Sequence, residues 1–493
     1  MSEERIEPEA ARPGRLRRAL ALLRAALRGE EHDYTKGSLP RSIWLLAVPM
    51  VLEMAMESTF AICDVYFVSR LGDEAVAAVG LSEAMLTIVY AFAIGFAMAA
   101  TALVARRIGE QNREGAVRAA TAAVVLGVAA GVLLGVPCFL FAEELLRLMD
   151  ASAAVVETGS GYTRLVLGGS GVVLLLHLHN AIFRGAGDPV VAMRAMWLAN
   201  GINIVLDPCL IFGLGPFPEL GVTGAGLATL IGRSTGVVYQ LVHLRRGSAH
   251  IALRGPGFRV SPRIVLELLR LSVGGVSQLL IATASWVVLM RIVSPFGDEA
   301  VAGYTIAIRI VVFAFLPAWG LANAAATLVG QNLGAGEPER AERAVVLTGF
   351  YNMLFLGTVT ILFLALAPFL IAPFTEDEST RAIGVSALRT LAYGYVFYAW
   401  GMVLVQALNG AGDTLTPTWL NLASFWGIQI PLAWLLARPA GWGPPGVFWS
   451  VCISESILAL LAYAVFRRGR WKRSRIASDD GAESTAPQGS TLG

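Results

Sequence analysis

Residues 72–77 read GDEAVA, and residues 297–302 read GDEAVA again. The offset that carries position 72 onto 297 also carries Arg184-Gly-Ala-Gly-Asp188 onto Asn409-Gly-Ala-Gly-Asp413, and Gly221-Val222 onto Gly446-Val447. One offset shared by several separated loops marks a duplicated supersecondary unit, and such a repeat sets the architecture before any single element is read.

Between the repeated loops the chain is strongly apolar. Of 493 residues, 56% are hydrophobic and only 15% charged, with mean hydropathy +0.63, whereas soluble domains carry about 25% charge. A membrane-crossing helix takes about 20 mostly apolar residues. Twelve stretches qualify, near 43–69, 76–104, 117–142, 161–183, 190–213, 222–244, 265–294, 300–329, 344–372, 386–409, 415–437 and 446–466. Six fall in each repeat, and an even number returns the chain to its starting side. The halves are therefore parallel, related by a pseudo-twofold axis along the membrane normal. The expected fold is an all-α polytopic membrane protein, twelve transmembrane helices in two six-helix lobes.

The charge distribution orients it. Lys and Arg gather in both tails and in the gaps after even-numbered stretches, while the opposite gaps include the acidic run Glu376, Asp377, Glu378. Positive charge marks the cytoplasmic side, so both termini are expected there, in a bacterial or archaeal cytoplasmic membrane. The expected divisions are a basic tail (1–40), an N-terminal lobe (41–245), a cytoplasmic linker (246–263), a C-terminal lobe (264–467) and a disordered tail (468–493). In the first tail, Leu16, Leu20, Leu23 and Leu27 recur at helical spacing among five arginines, the pattern of an amphipathic helix on an anionic leaflet. The four cysteines sit in apolar stretches without ligand spacing, so neither disulfides nor a transition-metal site is expected. His177 and His179 point to different faces of one helix, which argues against a metal pair.

An ionisable group at membrane depth is costly and marks function by default. The first half carries Glu53, Glu57 and Asp64 in the first stretch, Glu83 in the second and Asp207 in the fifth; the second half carries only Glu455 well inside one. Position 64 maps to Leu289, 180 to Val405 and 203 to Ile428. Polar groups needed only for the scaffold should occur in both copies, so the first lobe is where a driving cation is expected. At about 1.5 Å rise per residue, Asp64, Asp207 and Thr229 fall in one layer of its outer half. Asn203 precedes Asp207 by four, on the same helix face, and Tyr162 enters nearby. These oxygen donors suit Na+ or a proton relay. Glu53, Glu57 and Asp64 share a face of the first helix, a stripe able to line a substrate cleft or relay protons. Pro208 and Pro49 each remove an internal hydrogen bond and are the candidate bending points. Arg309 could line the cleft or pair with Glu455.

The 6+6 plan, the repeated Gly-Asp loops after the first stretch of each half, and the loops FRGAGD and LNGAGD after the fourth resemble the multidrug and toxic compound extrusion (MATE) family over about 40–467. The resemblance implies secondary active export of amphipathic, often cationic organic compounds by antiport with Na+ or H+. It also implies a cation site at Asp64, Asn203, Asp207 and Thr229, with Tyr162 nearby and Asn180 as a further polar position. Span seven departs from the family: where many members place a glutamate, this chain reads Ser277-Gln278-Leu279. The fold is shared with flippases of lipid-linked precursors, which remain the alternative. No nucleophile, zinc or phosphate-binding motif of an enzyme occurs on a span. The implied partners are small organic substrates and the lipid bilayer, with no nucleic acid; no cofactor beyond the coupling ion and no oligomer is expected.

Overall fold

The computed structural model describes residues 15–30, 32–247, 251–254 and 258–476. The tail from Ser478, the centre of the linker and the first fourteen residues lie outside the described residues.

The chain opens with α1 (Arg15–Arg28), followed by α2 (Leu39–Val68), α3 (Asp73–Gly109), α4 (Arg113–Leu140), the short α5 (Ala142–Leu148), α6 (Ala153–Gly168), α7 (Ser170–Ala186), α8 (Pro189–Phe212) and α9 (Gly221–Arg246). The second half contains α10 (Pro262–Val293), α11 (Asp298–Gly334), α12 (Pro338–Ile371), α13 (Glu378–Tyr393), α14 (Tyr395–Gly410), α15 (Leu415–Asn421), a π-helical segment (Leu422–Gln429), α16 (Ile430–Ala437) and α17 (Pro444–Arg467). The fold is all-α, two parallel six-helix lobes.

Ten described helical units are long and apolar enough to cross a membrane, and the bent pair α13–α14, with 57° between its parts, makes an eleventh. The twelfth is α9, whose Arg233, Gln240 and His243 lower its hydropathy. It is long enough to span, and its Gly224, Gly232 and Gly236 lie close against α8 and α7.

The duplication is written into the boundaries. Helices α3 and α11 have 37 residues each, and both their starts and their ends are related by the offset of the sequence repeat. Both start after a glycine at φ near +100°, Gly72 and Gly297, a left-handed conformation that excludes an ordinary side chain. The breaks at Gly169 and Gly394 repeat at the same offset.

The lobes meet along α2, α3, α10 and α11 through small residues. A Cβ on Gly95 would lie 2.6 Å from the Val276 backbone nitrogen, and one on Gly320 would lie 2.8 Å from that of Val51; the two contacts are repeat-mates. Nearer the chain ends, a Cβ on Gly109 would sit 1.9 Å from the Gln331 carbonyl oxygen, and one on Gly334 would sit 2.2 Å from that of Arg106, again repeat-mates. Beyond Gly95 and Gly320, towards the other face, Glu83, Ile88, Arg309 and Val312 of these helices are exposed. The lobes are thus in backbone contact, shut, on the face where α2 begins and α17 ends.

Both chain ends cross between lobes on the shut face. Residues 32–37 follow α1 and run beneath the second lobe, where the Arg340 guanidinium donates to the carbonyls of Tyr34, Lys36 and Gly37, the last at 2.9 Å. Beyond α17, Trp471 stacks on Phe466. Arg106 of the first lobe then donates to the Ser474 carbonyl at 2.6 Å and Arg107 to that of Ile476, while the Ile476 side chain is buried in a cluster of first-lobe and α10 residues and lies against Gly412. This corrects the expectation of a disordered tail from 468, because residues 468–476 are folded back by the buried Trp471 and the two arginines.

Candidate functional site

Helix α8 brings Asn203 and Asp207 to the centre of the first lobe, and α9 faces it with Thr229. Asn203 Nδ2 donates to Thr229 Oγ1 at 3.0 Å. Asp207 is fully buried, and Asp64 of α2 and Tyr162 of α6 are buried in the same layer; Asp64 lies within electrostatic reach of both Asp207 and Tyr162. Glycines make this convergence possible: Gly232 packs on Asn203 and the Ala199 carbonyl, and Gly226 packs on Tyr162.

The cluster's acceptors outnumber its donors. Asp64 Oδ1, Asn203 Oδ1 and both Asp207 carboxylate oxygens are buried without a hydrogen-bond donor among the described residues. Buried polar atoms are nearly always satisfied, and a group of orphaned oxygens calls for an ion, a proton or water. Four such oxygens, from two carboxylates and one amide, suit a small hard cation. The repeat-mates Leu289, Ile428 and Leu432 carry no such oxygen, and only Ser454 matches Thr229 in chemistry.

Beside the cluster lies Arg233 of α9, buried over the rings of Phe60 and Tyr90. Its Nη2 donates to the Tyr90 hydroxyl at 2.7 Å, and its Nη1 has no described acceptor. It lies within electrostatic reach of Asp64 and Glu83. Neither Arg233 nor Tyr90 belongs to the residues expected from the sequence. The available signal was an arginine at membrane depth within α9, which by itself demands a carboxylate partner.

Asn180 is placed elsewhere. It donates to Glu53 Oε1 at 3.0 Å, accepts from Gln240, and shares Glu53 with Arg184, whose Nη1 lies 3.3 Å from the same oxygen. This second polar group sits nearer the shut face. Glu57 stands between the two groups and accepts from Asn200 at 2.9 Å. Along α2, Glu53 and Glu57 thus line one cavity while Asp64 belongs to the orphaned cluster. Pro49 and Pro208 lie inside unbroken helices α2 and α8.

Between the lobes is a cavity of about 280 Å³. Its ionisable lining, Glu53, Glu57, His177 and Arg184, comes entirely from the first half; the second contributes Leu316, Trp319, Asn323 and Gln406 among others. Met54, Met98 and Met196 give it adaptable apolar walls. Glu455 is remote from it, in a cavity of about 30 Å³ with Trp286, Phe315 and Tyr398. Arg309 is exposed and lies near Glu83 rather than Glu455. His177 and His179 share no metal-binding cluster among the described residues.

Comparison with known proteins identifies the family and the fold. The family model MatE matches residues 49–209 and 276–435, one match in each half. The chain is 28% identical to "Probable multidrug resistance protein NorM" of Thermotoga maritima, over 87% of this chain and 93% of that protein. It is 21% identical to the "Multidrug export protein MepA" of Staphylococcus aureus, over 88% and 94%. A solved structure described as the outward-facing conformation of a multidrug resistance MATE family transporter superposes with TM-score 0.83 at 27% identity, covering 89% of this chain and 98% of that one.

Proposed function

The chain belongs to the MatE family, and from that premise we propose that it exports amphipathic, often cationic organic compounds in exchange for Na+ or H+. The coupling cation is taken up by Asp64, Asn203, Asp207 and Thr229, with Tyr162 closing the layer. Both chain ends face the cytoplasm, so the shut face is the cytoplasmic one. The observation that carries this reading is the set of four orphaned oxygens on Asp64, Asn203 and Asp207 in one lobe, with apolar repeat-mates in the other. The substrate lies in the cavity between lobes, where Glu57 supplies negative charge and the methionines and Trp319 an adaptable apolar surface. Cation occupancy must favour one conformation over the other, since a ligand with equal affinity for both shifts nothing. The first lobe is built for that bias, because α2 carries Asp64 in the cation layer and also packs against α11 across the interface.

The one-sided charge of the cavity favours an exporter over a flippase of lipid-linked precursors, whose polyanionic headgroup calls for cationic residues from both lobes. Dye efflux from proteoliposomes under imposed Na+ and pH gradients is the test. Accumulation driven by one gradient and abolished by its collapse supports the reading; transport indifferent to both sinks it.

A further inference from the structure

Helix α1 presents three faces to three surroundings. One face is docked on the protein: Ala25 and Ala26 are buried in a cluster with Ile43 and Leu46 of α2, Gly29 lies against Val190, and Arg194 donates to the Leu27 carbonyl at 3.1 Å. Leu20 and Leu23 lie on another, roughly 140° around the helix at about 100° per residue. They are 49% and 43% exposed. Arg24 and Arg28, one turn apart and both exposed, form the third.

Two leucines beside two arginines on a helix held at the base of membrane spans are chemically matched to a single surrounding. Apolar side chains enter the acyl boundary while guanidinium groups remain at headgroup level, and anionic lipids concentrate around such basic faces. The level of that boundary is marked independently by Trp44, 46% exposed in the second turn of α2. Tryptophan settles preferentially at the membrane–water interface.

We propose that α1 lies in the surface of the leaflet at which α2 begins, with Leu20 and Leu23 inserted among acyl chains and Arg24 and Arg28 holding anionic phospholipid headgroups. The occupant of this face is the bilayer itself. Because α1 leads directly into residues 32–37, which Arg340 of the second lobe holds, the lipid contact also fixes one of the two strands that cross the shut face.

The test places spin labels at Leu20→Cys, Leu23→Cys and Arg24→Cys in the full chain, with Cys63, Cys138, Cys209 and Cys452 replaced by alanine. The protein is reconstituted in phosphatidylcholine vesicles with and without phosphatidylglycerol. With the anionic lipid present, labels at 20 and 23 should collide severalfold more often with oxygen than with an aqueous nickel chelate, and the label at 24 should show the reverse. Adding Arg24→Gln or Arg28→Gln to the label at 20 should weaken lipid insertion about fivefold per arginine removed. Leucine-site labels that meet nickel freely overturn the proposal, and collision ratios indifferent to phosphatidylglycerol overturn its headgroup part. If the alanine background does not reconstitute, a photoactivatable anionic lipid applied to the unaltered chain decides between the same outcomes. Adducts within residues 20–28 support the assignment, and adducts elsewhere only overturn it.

Discussion

Asn203 and Thr229 hold each other across α8 and α9 through one 3.0 Å hydrogen bond, which leaves the asparagine's other atom, Oδ1, buried without a donor among the described residues. The pair is a positioned ligand beside Asp207, four residues further along the same helix. Asn203→Ala should therefore weaken the apparent affinity for the coupling cation about tenfold, the scale of one hydrogen bond or ligand to a charge, with the maximal rate retained. Asp207→Asn should abolish gradient-driven accumulation while substrate counterflow persists. Full accumulation by Asp207→Asn would place the site at Glu53 or Glu57 instead.

Asp64 and Glu455 offer a comparison between lobes. Asp64 belongs to the orphaned oxygen cluster, whereas Glu455 sits alone in an aromatic cavity away from the interlobe cleft. Asp64→Asn should remove coupled transport and Glu455→Gln should leave most of it, compared at matched expression in proteoliposomes. Equal losses would show that both lobes couple.

Arg184 and Glu53 form a buried ion pair at 3.3 Å. Removing one member of such a pair strands the other in a poorly solvating environment, at about 3 kcal/mol. Arg184→Gln should lower the thermal unfolding midpoint measurably. Glu53→Gln with Arg184→Gln should recover part of the loss, because neither charge is then stranded. A double variant no better than the single would mean that the pair is not mutually neutralising.

Closure of the shut face depends on Gly109, where an added Cβ would meet the Gln331 carbonyl oxygen at 1.9 Å. Backbone cannot yield as a flexible side chain does, so Gly109→Ala should part α3 from α11 at that end and close the opposite one. Spin-label distances between the starts of α3 and α11 should shorten. Gly80→Ala, where nothing lies within 4 Å, is the control and should change nothing.

His32 responds to pH. Burial and the nearby Arg41 and Arg340 hold its imidazole below the ordinary 6.5, outweighing Asp33. A folded-state pKa below the unfolded one means that the contribution is complete above the ordinary value and is lost as the pH falls towards the depressed one. Hydrogen-exchange protection across residues 32–37, corrected for the intrinsic pH dependence of amide exchange, should fall on acidification over that window. In His32→Gln it should become independent of pH there; an unchanged profile would assign the effect to other groups.

The legible part of this molecule was whatever repeats or costs energy in a membrane. GDEAVA at 72–77 and again at 297–302 located matching helix starts, and Asp64, Asn203 and Asp207 stood out against Leu289, Ile428 and Leu432. Asn180 is apart from that cluster in the structure because the depth of α7 carries it to Glu53 and Arg184. Arg233 escaped because its partners come from α2 and α3, far away in sequence. The crossing strands were invisible for another reason: Arg106, Arg107 and Arg340 bind backbone carbonyls, and every residue has one, so no side-chain pattern announces the contact. The shut face was equally hidden, since one sequence must serve both conformations.

The burial of Ile476 among first-lobe helices, α10 and Gly412 sets an order on biogenesis. Synthesis delivers the six helices of that lobe long before residue 476, and domains generally begin to fold in the order they emerge. The seam between the lobes nevertheless lacks its last apolar side chain until the final helix has been inserted and the chain has turned back on itself. A ribosome stalled before that point would leave a protein with all twelve spans in place and its inner seam unfastened.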